Sequence, residues 1–319
     1  MSFNNSEVRN LVFHGDGGKL FGIYIVNLLL SIVTLGLYYP WARAAVLKYV
    51  YQETELEGSR FTFHGTGKEM FIGFIKAVLI IAALYAIPIL AALTANPFIM
   101  IMGFLAFLVG SLLLIPIAIH GSLRYRLSRT SWRGIHWGYR GSRGKLISKM
   151  IVGGLLTIIT FGIYGFWFAV DMRKYIMENV RFGSIQFGFK GRGEDLFVVY
   201  LKGYLLTIVT LGIYSFWFAK DIYQFHVDNT RIYQDDRTLR MYSTATGGGF
   251  FSLIIVNALI LIFTLGLGFA WVVVRSLRFH MEHASIEGHF DPDAIEQTEE
   301  DYRDATSDDM ANILDVDIV

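Results

Sequence analysis

The residues best placed to do chemistry are few. His280-Met281-Glu282-His283, with His289 nearby, sets two histidines on roughly one helix face, which is the start of a metal site. The spacing lacks the His-Glu-x-x-His register of zinc proteases and has no carboxylate in step, so a solvated helix end is the plainer reading. Gly-x-Gly turns recur beside Lys19, Lys68 and Lys145, where free amides at a helix start could attract phosphate. Outside a strand–helix–strand context such a turn is weak evidence, and Glu194 and Asp195 in a related position argue against a shared anion site. Asn27, Lys76, Lys202 and Asn257 sit inside apolar runs and are the candidate intramembrane polar residues. Lys76 and Lys202 occupy one repeat position and fit snorkelling to the near interface. The chain has no cysteine, which excludes disulfides, thiolate catalysis and cysteine-ligated metals. No catalytic, cofactor-binding or metal-ligating set emerges, and an enzyme is not expected.

The elements that carry these residues belong in a membrane. Of 319 residues, 54% are hydrophobic and 17% charged, against about 25% charged in ordinary soluble domains. No Asp, Glu, Lys or Arg occurs in 20–42, 77–123, 150–170 or 241–274, and 203–219 is a shorter run of the same kind. Runs of about 18 or more signal membrane-crossing helices. The polar start, 1–12, has no signal-peptide pattern, so the first apolar run is expected to be an uncleaved anchor.

Five copies of one unit follow one another. An aromatic residue and a Gly-rich turn recur at Phe13, Phe63, Tyr139, Phe189 and Tyr242. A Thr-x-Gly-x turn recurs around Gly36, Gly162 and Gly212, and around Gly266 one residue later in its copy. Trp41, Trp167, Trp217 and Trp271 come next. The second copy is longer in its middle and forms a helical hairpin that turns at Thr94-Ala95-Asn96-Pro97. At the junctions, alternation such as Ile185, Phe187 and Phe189 predicts short strands.

The expected fold is therefore an all-α membrane protein of five tandem strand–helix–turn–helix repeats, with short β-strands at the repeat junctions. The repeat-built transmembrane domain spans 1–286, and 287–319 is an acidic, disordered tail with twelve acidic residues against Arg303. Two topologies compete: single crossings with junctions on alternating sides, or returning arms with every junction on one side. The second is preferred because open strands are not tolerated in hydrocarbon and must pair in one aqueous layer. Against it, Arg43 and Lys220 would sit unusually deep. Arg124, Arg126, Arg129, Arg133, Arg140 and Arg143 form an acid-free basic stretch, expected to face anionic lipid rather than nucleic acid.

Phe13-His14-Gly15-Asp16-Gly17, Thr34-Leu35-Gly36-Leu37-Tyr38-Tyr39-Pro40-Trp41-Ala42-Arg43 and Phe61-Thr62-Phe63-His64-Gly65-Thr66-Gly67 resemble the YjgN-like family of bacterial inner-membrane proteins over about 11–283. The resemblance implies a multi-pass inner-membrane location and no known activity. The expected function is a non-enzymatic transporter or channel-like protein. A membrane-organising scaffold that binds anionic lipid is the first alternative, and a lipid-modifying membrane enzyme the second. The expected partners are anionic membrane lipids and further copies of the chain as a homo-oligomer.

Overall fold

The computed structural model describes residues 8–298; the start, 1–7, and the rest of the acidic tail, 299–319, lie outside the described residues. The chain opens with β1 (Val8–Asn10) and β2 (Val12–Phe13), followed by the helical pair α1 (Gly17–Val33) and α2 (Tyr39–Gln52). The same order then runs four more times. β3 (Thr54–Leu56) and β4 (Ser59–Phe63) lead into α3 (Gly67–Leu93) and α4 (Pro97–Ser128), and β5 (Thr130–Trp132) and β6 (Ile135–Tyr139) into α5 (Arg143–Ile159) and α6 (Gly165–Glu178). β7 (Val180–Phe182) and β8 (Ile185–Phe189) precede α7 (Gly193–Val209) and α8 (Ser215–Asp228). β9 (Thr230–Gln234) and β10 (Arg237–Ser243) precede α9 (Gly247–Phe263) and α10 (Phe269–Glu282), and β11 (Ala284–Glu287) ends the series.

The expectation of an all-α protein with only short junction strands is wrong. The structure is 63% helical, but among the described residues eleven strands form a single antiparallel sheet that nearly closes on itself. Each junction carries a hairpin of two strands, and the sequence alternation revealed only the second, longer one. The first strand is mostly three residues long, too short to show a period of two. Closure has a simple cause. Strands β1 and β2 are separated by Leu11 alone, and one pairs with β11 (Val8 opposite Glu287) while the other pairs with β3 (Val12 opposite Glu55). One N-terminal segment thus bridges both ends of the sheet, and both of its edges are paired.

The inside of this sheet is packed. Leu56, Phe61, Trp132, Phe182, Ile185, Ile232, Leu239 and Ile286, from eight strands, form one buried cluster. Residues beyond the boundary drawn at 287 join it: Phe290 and Ile295 are buried among these side chains. The fully buried Gln234 holds that segment by its backbone, its Nε2 donating to the Asp291 carbonyl (2.6 Å) and its Oε1 accepting from the Asp291 amide (3.1 Å).

A repeated backbone bond closes every unit. The amide of the residue after the strand donates to the carbonyl that ends the second helix: His14 to Glu53, His64 to Arg129, Arg140 to Asn179, Lys190 to Asn229 and Thr244 to His283. These pairs put the fifth unit in register from Ser243 rather than Tyr242. Counted so, its Thr264 and Trp271 fall in step with the others, and Asn257 occupies the same position as Asn27.

Each helix packs on the next in sequence, and α10 packs on α1, so the ten helices of the described residues close a ring above the sheet. All five helical pairs return to that one sheet, which is the one-sided arrangement. Among the described residues only α3 and α4, of 27 and 32 residues, are long and apolar enough to cross a bilayer. The other uncharged runs each fold back into a 17-residue and a 14-residue helix.

Candidate membrane-insertion surface

The four short helical pairs end in one kind of turn, and it is built for a place without water. After α1, Leu35 adopts φ +51° and Gly36 φ +88°; Phe161, Leu211 and Leu265 repeat the first at +51°, +50° and +51°. Gly36 N donates to Ser31 O (2.7 Å) and Leu35 N to Ile32 O (3.1 Å), a helix-ending motif that satisfies otherwise orphaned carbonyls. The Thr34 hydroxyl donates to Leu30 O (2.7 Å) and accepts from Tyr38 N (3.0 Å), which ties the two helices together. Thr160, Thr210 and Thr264 do the same toward Tyr164, Tyr214 and Gly268. Backbone that enters hydrocarbon has to satisfy its polar groups internally, and this turn largely does so.

The left-handed position normally favours glycine, yet here it holds a large apolar side chain each time. Leu35, Phe161, Leu211 and Leu265 are 93%, 97%, 94% and 93% exposed. The strain is about 1–2 kcal/mol per residue. Moving such a side chain from water into lipid returns about 1.5–3 kcal/mol, so the conformation is favourable overall only if the tips are inserted.

Charge placement sets the depth. In the fourth unit Lys202 is the last charge before the tip, and the helix from there to its end at Val209 rises about 10 Å at 1.5 Å per residue. That is about a third of a 30 Å hydrocarbon core, which keeps the tip within one leaflet. On the return, Lys220 pairs with Asp221 (2.6 Å), and in the third unit Lys149 pairs with Asp171 (2.7 Å), so these deeper charges are neutralised. Helices α3 and α4 exceed their counterparts by lengths worth about 15 Å and about 27 Å, which makes this pair long enough to cross a bilayer and turn at Thr94–Pro97.

The other candidates fall as follows. Asn27 is buried on α1, its Nδ2 without a hydrogen-bond partner among the described residues, and Asn257 Nδ2 donates to Ser276 Oγ (3.1 Å). Lys76 is half-buried on α3 and Lys202 exposed on α7; the structure does not bring the four polar residues together. Gly36, Gly162, Gly212 and Gly266 are the second residues of the four tips. Four helix starts above the Gly-rich turns are capped by their own side chains, Asp16, Thr66, Ser142 and Thr246. His280 and His283 hydrogen-bond through Nδ1 to Ser276 O and Phe279 O within their own helix. Arg129 is buried against Glu69 (3.3 Å), and Arg133 reaches Asp293 (3.1 Å). Arg124 is half-buried, and Arg126, Arg140 and Arg143 are exposed. Sequence reasoning missed the tip residues Leu35, Phe161, Leu211 and Leu265, although the signal was present: the residue before the glycine is bulky and apolar in all four turns.

Comparison with known proteins gives the same setting. A stretch of 183 residues is 29% identical to inner membrane protein YjgN of Salmonella typhimurium, covering 53% of this chain and 44% of that protein. A stretch of 134 residues is 33% identical to inner membrane protein YjgN of Escherichia coli K12, covering 42% of this chain and 32% of the relative. The matched stretches thus span less than half of these relatives' length. No solved structure matches. The location is the bacterial inner membrane, as the relatives' names and the two apolar helices agree. The model of a family described as bacterial protein of unknown function (DUF898) matches residues 8–202, 184–236 and 235–313, and the chain belongs to that family.

Proposed function

We propose that the protein organises the membrane by filling one leaflet unequally. Among the described residues, eight helices end within one leaflet and two are long enough to continue through it. With a helix diameter of about 10 Å, the surplus cross-section in the sheet-side leaflet is about 600 Å² per molecule. Insertion of this kind expands one leaflet and favours curvature. The observation that carries the reading is the set of four strained, fully exposed apolar tips. The Lys- and Arg-bearing junctions support a cytoplasmic sheet by the positive-inside rule.

A transporter or channel is less well supported. Among the described residues Trp132 packs against Phe182 and Phe290 and fills the interior of the sheet there. The test is reconstitution into large vesicles, read both by electron microscopy and by release of trapped ions and small solutes. Curved or tubulated vesicles without release are expected. Unchanged vesicle shape together with solute flux would overturn the proposal and restore the transport reading.

A further inference from the structure

The junction between the second and third units departs from the other four. Elsewhere a tryptophan lies on the glycine that opens the next unit's first helix, as Trp41 does on Gly67 and Trp167 on Gly193. In the second unit the tryptophan position is Ile117, and in the third the glycine position is Arg143. Tyr139 stands where Phe13, Phe63 and Phe189 stand in other units and Ser243 in the fifth, which places a phenol at this junction alone.

Two buried polar groups meet there. His120 is 8% exposed and Tyr139 7%, with ring centroids 5.5 Å apart. Neither His120 Nδ1 nor the Tyr139 hydroxyl has a hydrogen-bond partner among the described residues. Buried polar groups without partners are uncommon and call for an explanation. Burial pushes the Tyr139 phenol up to about 12, so it stays protonated and able to donate. The cations whose fields reach His120 are Arg143 and Arg124. Residues 120–150 contain no acid. The carboxylates that approach from elsewhere, Glu69, Asp293 and Asp171, pair with Arg129, Arg133 and Lys149. Arg143 has no carboxylate within 4 Å among the described residues. Among the described residues, two unpartnered polar groups and the Arg143 charge therefore converge on a spot that holds no carboxylate.

We propose that this junction binds a phosphate group, with His120 and Tyr139 donating from inside and Arg143 closing from the rim. Arg143 opens α5 just above the sheet, the length of that 17-residue helix below the tip, which is headgroup depth. Assigning the phosphate to an anionic lipid rests on the insertion reading above; the phosphate chemistry does not.

The test uses the full chain in non-ionic detergent with ¹⁵N-histidine labelling, the His120 signal being assigned from His120→Gln. Dihexanoyl phosphatidic acid, dihexanoyl phosphatidylcholine and inorganic phosphate are titrated separately. Saturable movement of the His120 signal by phosphatidic acid is expected. Tyr139→Phe and Arg143→Gly, which install residues already used in other units, should each weaken binding about tenfold, the weight of one charge-assisted hydrogen bond. Arg126→Gln, an equal loss of charge on the exposed end of α4, should change it less than about twofold. Inorganic phosphate binding as tightly as the lipid would assign the site to free phosphate. No saturable shift with any probe, or equal weakening by Arg126→Gln and Arg143→Gly, would overturn the proposal.

Discussion

Trp271 of the last unit lies on Gly17 of the first, so closely that a Cβ on Gly17 would come 2.4 Å from the indole Cδ1. Trp41 on Gly67, Trp167 on Gly193 and Trp217 on Gly247 repeat the fit at 2.2, 2.4 and 2.3 Å. Three of these contacts join consecutive units. The fourth joins the two ends of the chain, so helix ring and sheet close at the same seam, where β1 and β2 meet β11 and β3.

Gly17→Ala should therefore destabilise the protein by about 1–3 kcal/mol, the usual cost of overpacking a close contact. Gly22→Ala, on the same helix with open space around it, should be neutral or slightly stabilising. Thermal unfolding in detergent compares the two; equal melting temperatures would mean that the seam is not close-packed.

The tips give a prediction with two signs. Leu211→Gly removes strain at φ +50°, so in detergent the variant should be as stable as the parent or better by up to about 1 kcal/mol. In bilayers it loses an apolar anchor worth about 1.5–3 kcal/mol. A spin label on Leu35→Cys in the otherwise cysteine-free chain should report a depth within the hydrocarbon of one leaflet, and the depth should become shallower when the other three tips are changed to Gly. A label exposed to aqueous relaxation agents would contradict insertion.

These tips also show how far the sequence could be read. The repeated Thr-x-Gly-x turn marked where each short unit reverses, and the long second unit marked the pair long enough to cross, because insertions in a repeat are visible without any structure. What stayed hidden was closure. Nothing in Val8–Asn10 or Val12–Phe13 shows that two such short strands pair with opposite ends of one sheet, since that depends on contacts more than 270 residues apart in sequence. The register of the fifth unit was hidden for a related reason: Ser243 replaces the marker aromatic, and neighbouring Tyr242 imitated it.

Gln234 offers a test of the segment after β11. Its side chain pairs with both backbone groups of Asp291, and Arg9 adds a hydrogen bond to Phe290 O (2.8 Å). Gln234→Leu would leave the Asp291 amide and carbonyl unpaired inside the sheet, at about 1–3 kcal/mol. Faster amide exchange across 288–298, with the helices unaffected, is the expected result; uniform protection would show that this segment is held by its apolar side chains alone.

The ion pair of Glu69 and Arg129 makes the last prediction. Glu69 stands in the first turn of α3, where it caps the helix start with Thr66, and it also accepts from the Tyr125 hydroxyl (3.0 Å). Arg129, at the end of α4, is 8% exposed, and its carbonyl carries the bond that closes the second unit. Glu69→Gln keeps the shape and a hydrogen-bond acceptor but strands a buried cation, which costs about 3–5 kcal/mol where the pair is fully buried and less here, since Glu69 is 25% exposed. Replacing Arg129 by Met as well removes the stranded charge, so the double variant should recover much of the loss. A double-mutant cycle on thermal stability decides it: if Glu69→Gln and Arg129→Met losses simply add, the two residues are not coupled, and the crossing pair α3–α4 is held at its base by packing rather than by charge.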